Sequence, residues 1–310
     1  MNKSDKIFVA GHRGMVGSAI VRKLKIDGYN NIIVRNSKEL DLRNQFHVED
    51  FFQSEKPDYV FLAAAKVGGI LANSTYKASF MYDNLSIQNN VIHAAYKNHV
   101  KKLLFLGSSC IYPKFADQPI REESLLTSEL EPTNEPYAIA KIAGLKMCQF
   151  YREQYDCNFI SLMPTNLYGP NDNFDLKNSH VLPALLRKFH EAKINKNSSV
   201  TLWGTGNPLR EFLHVNDLAK ACIHFMLSYN EKSPVNIGTG KDISIQDLAT
   251  EIKKIVEFEG EIIWDKNKPD GTPRKLLDVT KAKQNGWGSS ITLLDGIRMT
   301  YDWYVQNEGK

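Results

Sequence analysis

The sequence predicts an α/β protein, a doubly wound parallel sheet joined to a smaller α/β lobe. Three observations carry the prediction. Short apolar strands alternate with amphipathic helices through the first half of the 310 residues. A glycine-rich turn, Gly11-His12-Arg13-Gly14-Met15-Val16-Gly17, separates the first strand from the first helix. Beyond Tyr168-Gly169-Pro170 the alternation gives way to polar loops and shorter elements.

Taken in order, Lys6-Ile-Phe-Val-Ala10 is a strand and residues 18–24 a helix. Asn31-Ile-Ile-Val-Arg35 is the second strand, residues 45–54 an amphipathic helix, and residues 58–65 the third strand. A helix is expected over 84–98, a strand over 101–107, a helix over 136–155 and a strand over 158–163. Strands of about five apolar residues, separated by helices, are buried on both faces, which is the signature of a parallel sheet. The second half shows a helix over 181–192, strand-like pieces at 200–203 and 261–264, and a helix over 245–256. The expected division is a Rossmann-type cofactor domain over 1–170 with returning segments near 212–248. The substrate lobe takes 171–211 and 249–310.

Bulk composition narrows the function. Hydrophobic residues make up 42% and charged residues 24%, with a net charge of +4. The basic residues are dispersed and not interleaved with aromatics, which argues against nucleic acid and for a small anionic ligand. No stretch reaches the ~20 apolar residues that span a bilayer, and the N-terminus shows no signal-peptide pattern. Cys110, Cys148, Cys157 and Cys222 have no paired spacing, as expected of reduced thiols in a cytoplasmic protein with no metal site.

The glycine turn lets a pyrophosphate approach the backbone at a helix N-terminus. Dinucleotide sites that take NAD carry an acid at the end of the second strand. Here that strand ends Val34-Arg35-Asn36-Ser37-Lys38. Its two cations, with Arg13 in the turn, favour the 2′-phosphate of NADPH/NADP+. Tyr137 and Lys141 stand four residues apart on a helix and so share a face. A nearby ammonium is expected to lower the tyrosine pKa from about 10 towards neutrality. Ser108 follows a central strand at its carboxyl end, where open α/β sheets bind ligands. If that strand continues, Ser108 and Cys110 point to one face.

Glycine turn, strand-end serine and Tyr-x-x-x-Lys, in this order, resemble the extended short-chain dehydrogenase/reductase superfamily. Five longer strings are similar to the GDP-L-fucose synthase family within it. They are Ala63-Ala-Ala-Lys-Val-Gly-Gly-Ile70, Gly107-Ser-Ser-Cys-Ile-Tyr-Pro113, Glu131-Pro-Thr-Asn-Glu-Pro-Tyr-Ala-Ile-Ala-Lys141, Pro164-Thr-Asn-Leu-Tyr-Gly-Pro170 and Lys268-Pro-Asp-Gly-Thr-Pro-Arg-Lys275. The resemblance covers nearly the whole chain. It implies inversion of GDP-4-keto-6-deoxy-D-mannose at carbons 3 and 5, then NADPH reduction of the carbon 4 ketone.

In that resemblance Ser108 holds the reacting oxygen, Tyr137 is the acid of the reduction, and Lys141 binds the nicotinamide ribose. Cys110 is the base and His180 the acid of the inversions. Cofactor contacts fall on the turn residues Gly11 to Gly17, on Arg35, Ser37, Asp41 and Leu42, and on Leu106, Gly107, Ser108 and Ser109. They extend to Lys141, to Pro164, Thr165, Asn166 and Leu167, and to His180. Lys188, Trp203, Arg210 and Asp270 take the GDP portion; many relatives carry arginine where Lys188 stands. Arginine is the natural bidentate partner of a diphosphate, and lysine keeps the charge without the fork. A homodimer through the helices near 84–98 and 137–155 is implied as well.

Two rivals stay open at this level. A nucleotide-sugar 4-epimerase or 4,6-dehydratase shares the fold, although dehydratases carry an acidic pair where Ser109-Cys110-Ile111 stands here. A non-catalytic NADPH-binding scaffold would need neither Tyr137 nor Lys141. Fold alone does not separate these readings.

Overall fold

The computed structural model describes residues 1–176, 178–268 and 270–309. Its first half contains β1 (Ile7–Ala10), α1 (Met15–Ile26), β2 (Ile32–Ile33), α2 (Gln45–Glu55) and β3 (Tyr59–Leu62). There follow α3 (Ile70–Thr75), α4 (Lys77–Lys97), β4 (Lys102–Leu106), α5 (Glu135–Tyr155) and β5 (Phe159–Pro164). The second half adds β6 (Asn166–Tyr168), α6 (Val181–Ile194), β7 (Ser199–Trp203), β8 (Leu209–His214) and α7 (Val215–Ser228). Then come β9 (Val235–Ile237), β10 (Asp242–Ser244), α8 (Ile245–Val256), β11 (Glu261–Asp265), β12 (Arg274–Lys275), α9 (Thr280–Gln284) and α10 (Leu293–Asn307).

Six strands form the main sheet in the order β2-β1-β3-β4-β5-β9. All its pairings are parallel, as the apolar strands require. Alternation along each strand feeds two cores. On β4, Leu103 and Phe105 join the core with α2, α4 and α5, while Leu104 and Leu106 join the core with α1 and α7. Each such buried side chain contributes about 1.5–3 kcal/mol of transfer free energy. A third core gathers Leu182, Leu186 and Phe189 of α6, Phe212 of β8, Leu248 and Ile252 of α8, and Ile297 and Tyr304 of α10.

The structure differs from the sequence expectation at three elements of the first half, one of them α3, which the sequence reading did not include. The second strand shrinks to two residues. Arg35, expected to close it, turns aside and bonds the Val34 carbonyl at 2.9 Å and the Glu55 carboxylate at 2.6 Å. Helix α4 starts at Lys77 instead of 84. Of residues 77–83 only Phe80 is buried, so apolar periodicity does not mark them; at Asn84 the side-chain amide bonds the Lys66 and Phe80 backbone. Short strands β6, β10 and β12 lie beside β8 in a second sheet that the sequence did not signal. Among the described residues, no helix is long and apolar enough to cross a membrane.

Candidate active site

The glycine turn sits where β1 meets α1. Gly11 has φ +86°, and a Cβ there would stand 2.7 Å from the Ala64 nitrogen. A Cβ on Gly17 would stand 2.2 Å from the Gly11 carbonyl oxygen, so the helix packs directly on the turn. Gly14 meets only the Gly11 oxygen at 3.5 Å and faces open space. No side chain caps α1 at Gly14. Its first N–H groups and its dipole therefore stay available to a phosphate. Around this turn Arg13, Ser37 and Lys38 are exposed. Arg35, expected to meet a 2′-phosphate, is paired with Glu55 instead. Asp41 pairs with Arg43, which also reaches Asp83 on α4. The Leu42 carbonyl is held by Asn90 at 2.9 Å. His12 has a buried Nδ1 with no partner among the described residues. Met15 and Val16 pack on the core of α1 and α7.

The carboxyl end of β4 holds the next group. A Cβ on Gly107 would lie 2.3 Å from the Met163 sulfur, so glycine is needed for β4 to end beside β5. Ser108 then caps a short 3₁₀ turn over Ser109–Ile111, its Oγ accepting from the Cys110 nitrogen at 3.2 Å. Ser109 is buried. The expected continuation of the strand to Cys110 does not occur. The turn, not period-2 alternation, sets the Cys110 side chain.

Helix α5 presents Tyr137 and Lys141 to this turn. Lys141 is 4% exposed and donates to the Leu106 carbonyl at 2.7 Å. Burial lowers its pKa to about 7. Its nitrogen lies 5.9 Å from the Tyr137 ring centre. The phenol is not brought towards neutrality as expected. Burial pushes it well up, the charge of Cys110 adds to the rise, and a hydrogen bond from Ser108 opposes it. Lys141, whose short bond goes to the Leu106 carbonyl, does not offset that burial.

Cys110 is met by a residue that sequence reasoning did not single out. The Lys275 ammonium lies 3.5 Å from the Cys110 sulfur, and its charge is felt by His180. Asn134 donates to the same sulfur at 3.3 Å. His180 is the N-cap of α6 with no side-chain cap bond. It is open to solvent yet surrounded by protein, as on a cleft floor; those surroundings first, and Lys275 second, lower its pKa. Asn134 Oδ1 and Ser179 Oγ are buried without partners among the described residues, which fits a site completed by a polar ligand.

Lys275 reaches Cys110 because β12 pairs with β8, placing Lys275 opposite Arg210. Burial lowers the Arg210 pKa against the charges of Asp270, Cys110 and Glu131. Further out, Trp203 is 59% exposed, with the Lys188 and Lys268 ammonium groups 6.0 and 5.4 Å from its ring centre. Asp270 bonds the Thr205 nitrogen at 2.7 Å and its hydroxyl at 2.8 Å. Pro269, within the same string, lies outside the described residues. Pro164 ends β5, and Thr165 and Asn166 bond the Glu211 carbonyl at 3.3 and 2.8 Å, which carries Leu167 alongside β8.

The NAD dependent epimerase/dehydratase family matches residues 7–238. This chain belongs to that family. Within the epimerase/dehydratase family it is 62% identical over 306 residues to GDP-L-fucose synthase 1 of Arabidopsis thaliana, covering 99% of this chain and 95% of that one. It is 54% identical to GDP-L-fucose synthase of Escherichia coli K12 over 315 residues, 99% of this chain and 98% of that one. The solved GDP-L-fucose synthetase of Naegleria fowleri bound to NADP superimposes with a TM-score of 0.92 at 30% identity, covering 99% and 96% of the two chains. Lys275 and Asn134, the two groups on the Cys110 sulfur, lie within the strings that resemble this part of the epimerase/dehydratase family. Their position in those strings was the available signal; their contact with Cys110 depends on tertiary pairing.

Proposed function

We propose that the chain converts GDP-4-keto-6-deoxy-D-mannose to GDP-L-fucose with NADPH, by inversion at carbons 3 and 5 and then reduction at carbon 4. The observation that carries this reading is the Cys110 sulfur held by Lys275 and Asn134 beside Ser108 and Tyr137, with the Lys275 charge also felt by His180. A reductase or 4-epimerase alone has no use for it.

Carbons 3 and 5 flank the ketone, so removal of either proton gives an enolate. The Ser108 and Tyr137 hydroxyls hold the carbon 4 oxygen and stabilise that charge. Cys110 takes a proton from one face and His180 returns one to the other. Lys275 and Asn134 support the sulfur when it carries charge. NADPH supplies the hydride for the reduction. Tyr137, protonated at neutral pH, then gives its proton to the carbon 4 oxygen as that oxygen gains charge.

The Gly11–Gly17 turn and the α1 N-terminus would hold the cofactor's phosphates, and Lys141 its ribose. Arg13 and Lys38 would serve the 2′-phosphate, and Arg35 would reach it only by leaving Glu55. Arg210 and Lys188 meet the diphosphate of the GDP portion, and Trp203 and Asp270 lie at its outer end. The main-sheet cores form the cofactor domain, 1–170 with the stretch near 212–248, and they also take in Leu277, Val279, Ala282 and Trp287 from the stretch expected in the substrate lobe. The third core forms the substrate lobe, with α8 belonging to it whole. The chain works in the cytoplasm as a homodimer joined through α4 and α5, with no membrane or nucleic-acid partner.

The test is exchange in deuterium oxide. The keto substrate incubated with the protein is expected to gain deuterium at carbons 3 and 5. A change confined to carbon 4 would instead identify a reductase or 4-epimerase.

A further inference from the structure

The loop after β3 supplies no group to this chemistry, yet it lies directly against the segment that presents His180. The Gly69 nitrogen donates to the Asn178 carbonyl at 2.8 Å. A Cβ on Gly69 would stand 2.5 Å from the Ser179 carbonyl oxygen and 3.4 Å from that of Asn178. Gly69 has φ −68° and ψ −178°, an extended conformation open to any residue. Its need for glycine therefore comes from this contact alone.

The opposite side of the loop is fixed by Asn73, a buried side chain whose amide donates to the Gly68 carbonyl at 2.6 Å and the Gly69 carbonyl at 3.1 Å. Gly68 is packed as well, with a Cβ there falling 2.9 Å from that of Ala72. The loop cannot retreat without breaking the Asn73 bonds. His180 follows Ser179 directly, and no bond from its own side chain to the α6 backbone anchors it. Where the Asn178–Ser179 backbone rests decides where the imidazole stands relative to Lys275 and Cys110. Ser108, Tyr137 and Lys141 are placed instead by β4 and α5.

We propose that Gly69, held from behind by Asn73, is a positioning residue for His180 in the inversion steps. The inference rests on the function proposed above. It predicts a split between two half-reactions of one enzyme. Misplacing a proton-transfer group by about an ångström costs up to ~100-fold in rate, and only the inversions use His180 as an acid.

The test compares wild type with Gly69→Ala in two assays. One is deuterium uptake at carbons 3 and 5 of the keto sugar. The other is the initial rate of NADPH formation from GDP-L-fucose and NADP+, which reports hydride transfer without inversion. In Gly69→Ala, exchange is expected to fall by about 10-fold or more while hydride transfer changes by less than about 3-fold. Asn73→Asp, which sets a carboxylate against the same two carbonyls, is expected to show the same split and serves if Gly69→Ala does not fold. Equal loss in both assays, or undiminished exchange in a folded variant, overturns the proposal. Absence of exchange in the wild type instead overturns the proposed function itself.

Discussion

Tyr137 and Lys141 occupy one face of α5 and respond in opposite directions to the same burial: the phenol holds its proton more tightly and the ammonium less tightly. Tyr137→Phe removes the acid of the reduction. Ketone reduction is expected to fall by about 10²–10⁴-fold, with NADPH binding, followed by its fluorescence, retained. Lys141 titrates at about 7 in the free protein. Below that pH it carries the charge that meets the ribose; above it the charge is lost. The kcat/KM for NADPH, which reports the free enzyme, is therefore expected to fall as pH rises through about 7, measured by NADPH absorbance. Ser108, Tyr137 and Lys141 were legible from spacing because one strand end and one helix face place them. Lys275 was not, because a two-residue strand leaves no periodicity and its partner lies 165 positions away. Cys110 was singled out for the wrong geometric reason: it reaches the site through a 3₁₀ turn that no alternation pattern reveals.

At the scale of elements, β8 organises the cleft. It sets Arg210 beside Lys275, and its fully buried neighbour Glu211 accepts from the Gly240 nitrogen at 2.7 Å and the Leu277 nitrogen at 3.0 Å. Its last residue, His214, caps α7 by accepting at Nδ1 from the Asn216 nitrogen at 3.2 Å, which requires a neutral ring. Burial lowers the His214 pKa from 6.5 to about 4. Between those values the unfolded chain takes up a proton that the folded chain refuses. The stability His214 contributes is thus present above 6.5 and lost as pH falls towards 4, at up to about 1.4 kcal/mol per pH unit. His214→Asn keeps a capping side chain and removes this titration. Its Tm is expected to drop less than that of the wild type between pH 7 and pH 4.5 in calorimetry, and an equal drop would refute the assignment. Several long elements were readable because a 3.6-residue apolar stripe or a continuous apolar strand announces them, as over residues 245–256, but the helices α7 and α10 were not read. β6, β10 and β12 were not, since two or three residues carry no period and form only where β8 offers a partner.

For the molecule as a whole, α4 and α5 pack together and leave Tyr82 (68% exposed), Phe150 (57%), Tyr155 and Ile139 facing outward. An apolar face on this helix pair is what a second copy would cover. If the proposed dimer forms through this face, the wild type is expected to sediment as a dimer and Phe150→Glu as a monomer in analytical ultracentrifugation, and a dimer mass unchanged by Phe150→Glu would place the interface elsewhere. The parallel sheet was legible because short apolar strands alternate with helices, whereas the meeting of Cys110 and Lys275 depends on a pairing 165 residues apart. The central claim is the chemistry of that grouping. Its most direct test mixes the protein, NADPH and GDP-4-keto-6-deoxy-D-mannose, follows NADPH absorbance and identifies the product by NMR. NADPH oxidation with GDP-L-fucose as product is the predicted result. Oxidation that yields a 6-deoxy sugar with carbons 3 and 5 unchanged, or no oxidation at all, would contradict it.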